Sequence, residues 1–166
     1  NQEGNYRSGQ QHGTWINYNE KGRKIEESMW KNGELFGKTT LWDKNGNKTI
    51  LKSFKEDEKD GLWIWWSPNG KKVKEGNFKL GDKNGKWTYY HANGKKKRLE
   101  NYKLGKKNGK LIVWFENGQK EREESYRNDE KHGKWTYWFE NGRLDKEEKY
   151  TNGVQTDGKH YDYFDN

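Results

Sequence analysis

Gly85-Lys86-Trp87-Thr88-Tyr89-Tyr90-His91-Ala92-Asn93-Gly94 and Gly133-Lys134-Trp135-Thr136-Tyr137-Trp138-Phe139-Glu140-Asn141-Gly142 carry one phrase twice. Extending outward from them, glycines stand at 13, 37, 61, 85, 109 and 133, always 24 residues apart. A second glycine series runs 22, 46, 70, 94, 118 and 142. A third column is aromatic throughout: Tyr6, Trp30, Phe54, Phe78, Tyr102, Tyr126 and Tyr150. Self-similarity at a fixed period marks a repeat architecture, and three columns without drift leave no room for chance.

Each unit reads as a β-hairpin. The runs TWINY, KTTLW, LWIWW, KWTYY, KLIVW and KWTYW that follow the first glycine are aromatic and β-branched, as strands are. They lead to Asn-Gly at 45–46, 69–70, 93–94, 117–118 and 141–142, with Lys21-Gly22 in the first unit. Asn-Gly suits a two-residue turn whose central residues need positive φ. A more polar strand follows, and a four- to five-residue Gly-containing loop, as at 81–85 and 105–109, returns the chain. Gly and Asn interrupt every candidate helix. The expected fold is all-β: an elongated single-layer antiparallel meander in one domain, 1–166. Its units fall at about 4–27, 28–51, 52–75, 76–99, 100–123 and 124–147, with a partial one at 148–166. The last unit slips, since Asp157 stands where glycine is due and Gly158 follows one residue late.

A two-residue Asn117-Gly118 turn sets Tyr126 opposite Gly109, an aromatic ring over bare backbone. Side-chain alternation then gives one face an aromatic spine: Trp63, Trp65 and Phe78, or Trp87, Tyr89 and Tyr102. The other face takes Ile64, Thr88, Ile112 and Thr136, with a column of rings at Trp42, Trp66, Tyr90, Trp114 and Trp138. A single sheet cannot bury both faces by itself. That column is therefore the candidate partner-binding surface, because Trp and Tyr dominate binding hot spots.

Composition sharpens the picture. Leu, Ile, Val and Phe make only 23 of 166 residues, with a net charge of +8, which places the chain where disorder is the default. The aromatic and glycine rhythm overrides that default, so the chain folds without a thick core. Cysteine is absent, which excludes disulfides and thiolate metal sites. No apolar run reaches the roughly 20 residues of a membrane helix. His12, His91, His132 and His160 fall in turns or at strand ends without metal-ligand spacing, and no nucleophile elbow is present. The glycines have no helix N-terminus beside them to make a phosphate cradle. Glu and Asp alternate with Lys in repeat register, the pattern of a solvated face. Catalysis, a cofactor and a metal are all unindicated.

Charge is uneven. Residues 71–110 hold 14 Lys and Arg against Glu75, Asp82 and Glu100, a local surplus of +11 that leaves −3 for the remainder. Lys71, Lys72, Lys74, Lys95, Lys96, Lys97, Arg98, Lys106 and Lys107 form the candidate basic patch, suited to an acidic protein surface or anionic lipid. Nucleic acid is disfavoured. The aromatics follow the repeat even where charge is acidic, and Arg, the bidentate phosphate reader, is scarce.

The quoted stretches resemble the MORN repeat (membrane occupation and recognition nexus) in its bacterial variant, whose units run roughly G-x-W-x-x-Y-x-x-N-G. The likeness spans essentially the whole chain and departs at Thr39 and Leu111, where the first Trp is missing, and in the slipped last unit. It implies a twisted single-layer sheet of hairpins. It also implies a bacterial chain like the YwqK-type antitoxins, which neutralise a partner toxin. Other members are surface or envelope proteins, scaffolds, or proteins that contact membrane lipid. The expectation is thus a non-catalytic protein-binding module of antitoxin or immunity type. It would be cytoplasmic in that role. The alternative is an envelope or secreted scaffold touching anionic lipid. Oligomeric state is left open.

Overall fold

A computed structural model describes residues 1–162, so the last four positions of the expected partial unit lie outside the described residues. The chain divides into two compact units, Asn1–Asp82 and Lys83–Asn166. All regular structure among the described residues is β.

Unit 1 contains β1 (Gln2–Arg7), β2 (Gln10–Tyr18), β3 (Lys24–Lys31), β4 (Glu34–Trp42), β5 (Lys48–Lys55), β6 (Glu58–Lys59), β7 (Gly61–Trp66) and β8 (Lys72–Lys79). Sequential strands pair antiparallel, β6 and β7 being one strand broken by a bulge at Asp60. Unit 2 repeats the plan in β9 (Asp82–Tyr90), β10 (Lys96–Lys103), β11 (Lys106–Lys107), β12 (Gly109–Trp114), β13 (Lys120–Arg127), β14 (Glu130–Lys131), β15 (Gly133–Trp138), β16 (Leu144–Thr151) and β17 (Val154–His160). Its strands also pair in sequence order, so each unit is an open meander.

The expected register holds. Gly109 pairs with Tyr126, Gly85 with Tyr102, Gly133 with Tyr150 and Gly61 with Phe78. The turns are the reverse of expectation. At the Asn-Gly sites the Phe115 amide donates to the Gln119 carbonyl (2.9 Å) and the Gly118 amide to Phe115 (2.9 Å). The loop therefore has three residues, with Gly118 alone at positive φ, 96°. This is a type I turn closed by a left-handed glycine. The tight two-residue turns sit at the other connection, where both residues have positive φ: 50° and 72° at Asn128-Asp129, 47° and 80° at Leu104-Gly105. A bulge explains why the register survived the wrong turn. Trp114 pairs with Lys120 but Val113 with Arg122, so Glu121 is the extra residue that offsets the longer loop.

The spine is the core. Trp87 is 2% exposed, Trp135 3%, Trp15 5% and Trp63 7%. Each Trp lies against rings of the aromatic column: Trp135 is 5.2 Å from Tyr126 and 5.0 Å from Tyr150, and Trp63 is 5.5 Å from Phe54 and 5.0 Å from Phe78. Such pairs add about 0.5–1.5 kcal/mol each beyond area burial. The turn tips are tied laterally. The Gly105 amide donates to the Lys83 carbonyl, Asp129 to Lys107 and Gly153 to Lys131, each at 2.9 Å, as Gly33 does to Gln11 in unit 1 (2.9 Å). In β17 all residues are exposed, so the spine of unit 2 ends at Tyr150.

Candidate functional site

The ring column lies where alternation put it, next after the spine residue on each strand. Trp42 pairs with Lys48 and Trp66 with Lys72 in unit 1. In unit 2, Tyr90 pairs with Lys96, Trp114 with Lys120 and Trp138 with Leu144. All five are half-buried, not open. Lysines account for part of the cover: Lys24 Nζ lies 4.8 Å from the Trp42 ring centre and Lys120 Nζ 5.5 Å from that of Trp138. Lysine stems over rings shield apolar surface while the ammonium stays wet. His91 at the neighbouring turn donates from Nε2 to the Trp114 carbonyl at 2.9 Å, which fixes that strand end.

The basic residues do not share one surface. Lys74 lies 4.3 Å over Trp65, Arg98 4.2 Å over Tyr89 and Lys107 4.9 Å over Tyr126, so these three belong to the spine face. Lys72 pairs with Glu75 at 2.7 Å on the other face. Lys95 is exposed and donates to the Asn117 carbonyl, 2.8 Å away. Lys71, Lys96, Lys97 and Lys106 are exposed.

Two columns on the spine face were not read from the sequence. The first is Lys59, Lys83, Lys107 and Lys131, whose ammonium groups sit over the rings: Lys83 is 4.4 Å from Trp87 and 4.6 Å from Tyr102, Lys131 4.4 Å from Trp135 and 4.5 Å from Tyr150. Burial holds the Lys83 ammonium below the usual lysine range.

The second column is acidic and corrects the reading of every carboxylate as solvated. Glu100 is 4% exposed and Glu124 6%, and Glu148 completes the column. Parity explains it: Glu100 is two residues before Tyr102 and pairs with Trp87, so it faces the spine. Each carboxylate accepts from the tyrosine two residues on, at 2.9 Å (Tyr102), 2.8 Å (Tyr126) and 3.1 Å (Tyr150). Each also meets a cation two residues before: Arg98 Nε at 3.4 Å, Arg122 Nε at 3.0 Å and Lys146 Nζ at 2.9 Å. The arginine approaches are charge contacts, too poorly angled for hydrogen bonds. Burial raises the Glu148 carboxyl, but the Lys146 and Tyr150 hydrogen bonds outweigh it and hold the group below the usual carboxylate range. In unit 1 the same column reads Ser28, Lys52 and Gly76, and the Trp30 indole donates to Ser28 Oγ at 2.9 Å.

Hairpins repeating every 24 residues, with spine and ring columns in step, define a β-hairpin repeat protein. The profile of the MORN repeat variant family matches residues 59–80, 83–104, 107–128 and 131–152, together more than half of the sequence. The chain belongs to the MORN repeat variant family. Each matched stretch opens on a lysine of the spine-face column and closes on the first residue of the next tight turn. No curated protein matches the chain. MORN repeats serve in binding proteins or membranes, and proteins built from them are generally non-catalytic.

Proposed function

We propose that the chain is a non-catalytic protein-binding module of antitoxin or immunity type, which lays a sheet face on a partner protein and occludes it. The observation that carries this is the ring column. Trp42, Trp66, Tyr90, Trp114 and Trp138 occupy one repeat position, half-exposed, on the face turned from the spine. Aromatic rings held by paired strands offer large contact area at little entropic cost, as hot spots do. A bacterial cytoplasm is the setting that goes with this role.

The test is affinity capture with a photo-crosslinking residue at Lys110, on the same strand and face as Trp114, and the double variant Trp114→Ala, Trp138→Ala as comparison. A toxin-like protein captured by the parent and lost, by at least about tenfold, in the variant is the expected result. Capture of no protein, or of the same proteins by both, overturns the reading. Exposed Lys95, Lys96 and Lys97 favour a second reading, an envelope scaffold on anionic lipid. That reading expects phosphatidylserine vesicles to bind at low salt and to be released when the three lysines become Glu.

A further inference from the structure

On the face away from the spine, the centre of each polar strand carries Glu27, Leu51, Glu75, Leu99, Glu123 and Glu147, again at the repeat spacing. Where the residue is Glu, lysines hold it. Glu123 accepts from Lys110 on one side and from Lys120 on the other (2.7 Å). These hydrogen bonds, the Lys110 bond first, hold its carboxyl below the usual range. Glu147 pairs with Lys134, Glu75 with Lys72 (2.7 Å) and Glu27 with Lys24 (2.7 Å).

In two repeats the acid is replaced by Leu while both lysines remain. Lys86 and Lys96 stand to Leu99 as Lys110 and Lys120 stand to Glu123. Leu99 pairs with Thr88 and Ile112, and Lys96 with Tyr90, just as Glu123 pairs with Ile112 and Thr136, and Lys120 with Trp114. Unit 1 contains the same arrangement independently: Lys38 and Lys48 around Leu51, which pairs with Thr40 and Ile64. All four lysines are exposed, and none has a carboxylate within ion-pair distance among the described residues. Each site is thus a pair of cations in the register that closes on one carboxylate at Glu123, with an aliphatic floor where the carboxylate stem would lie. Two exposed cations flank an apolar residue with no acid between them, and a carboxylate brought in from outside is attracted to both.

Resting on the protein-binding reading above, we propose that Lys38 with Lys48, and Lys86 with Lys96, are two equivalent docking points for acidic side chains of a protein partner. The chemistry that fits is a Glu or Asp carboxylate beside an apolar neighbour. The lysines act as point charges on a single carboxylate, and Leu51 or Leu99 takes the aliphatic contact. Trp42 and Tyr90, directly paired with Lys48 and Lys96, supply a ring at each point.

The test restores the missing acids. Leu51→Glu with Leu99→Glu gives each lysine pair an internal carboxylate and leaves no vacancy for an external one. The probe is a fluorescein-labelled oligoglutamate peptide containing leucines, titrated by fluorescence anisotropy at low salt. Leu80→Glu with Val154→Glu, on exposed turn positions, adds the same charge elsewhere. Peptide affinity is expected to fall about tenfold in the first variant and less than about threefold in the second. Equal losses in both variants, or no loss in the first, overturn the proposal. So does a parent chain that binds phosphatidylserine vesicles or a single-stranded oligonucleotide through these lysines and ignores the peptide. If the Glu variant folds poorly, Lys38→Gln with Lys86→Gln gives the same comparison. A captured partner undiminished by Leu51→Glu with Leu99→Glu sinks this proposal and leaves the protein-binding reading standing; failure of the Trp114 and Trp138 substitutions to alter capture sinks that reading instead.

Discussion

Glu124 shows how a charged residue earns a place inside a one-layer sheet. It has Arg122 beside it and the Tyr126 hydroxyl donating to it, and it is 6% exposed. Breaking a fully buried ion pair costs about 3–5 kcal/mol, but the Arg122 side chain is 38% exposed and can turn to water. Glu124→Gln keeps an acceptor for Tyr126, so the expected loss is smaller, about 1–3 kcal/mol, read from the urea midpoint by Trp fluorescence. The tyrosines give a second prediction. Burial first, and then the carboxylate accepting each hydroxyl, pushes Tyr102 and Tyr126 well above the ordinary range, and burial with the Glu148 charge does so for Tyr137. The folded chain keeps protons that the unfolded chain releases near pH 10, so the stability they contribute is whole below about pH 10 and is lost as pH rises beyond it. Tyrosinate absorbance should lag in the folded protein and appear together with unfolding; a single early titration of all tyrosines contradicts this. These carboxylates were legible in principle, since counting in twos from Tyr102 puts Glu100 on the spine face. They were hidden because composition treats every Glu alike, and only parity separates Glu124, inside, from Glu123, outside.

At the scale of the element, strands and register could be read from sequence and turns could not. Asn-Gly is compatible both with a two-residue turn and with a three-residue loop ending on a left-handed glycine, and the bulge at Glu121 hides the difference from any count made farther along the hairpin. The true tight turns escaped notice because two of them carry Leu at the first position. Leu80 and Leu104 have φ of 49° and 47° and are 64% and 56% exposed, so they carry left-handed strain without compensating burial. Asn occupies the same position at 32, 128 and 152. Leu104→Asn is therefore expected to stabilise the protein by about 1 kcal/mol, seen as a higher thermal midpoint. An unchanged or lower midpoint shows that the Leu contacts outweigh the strain. The ring column was legible as positions and not as exposure, because the lysines that cover Trp42 and Trp138 come from neighbouring strands.

For the molecule as a whole, each repeat brings its own loop, bulge, tight turn and lateral tie. Excising residues 100–123 from unit 2 joins Leu99 to Glu124 with every column still in step. A folded β protein of lower thermal midpoint is expected by circular dichroism. Excising 100–122 shifts every later residue to the wrong face and should abolish the cooperative transition. Equal behaviour of the two deletions argues against the column rule. The lateral ties add to this coupling between neighbours. In each unit the amide of a later tip donates to a carbonyl of an earlier strand, as Gly105 does to Lys83 and Gly153 to Lys131. Such tips also take a bond in return, since the Leu35 and Lys107 amides of the earlier strand donate to the Asp57 and Asp129 carboxylates of the later tip, each at 2.7 Å. Neighbouring hairpins of a unit are therefore stitched to each other at their tips as well as along their strands, so a tip loosened by substitution slackens the hairpin before it along with its own.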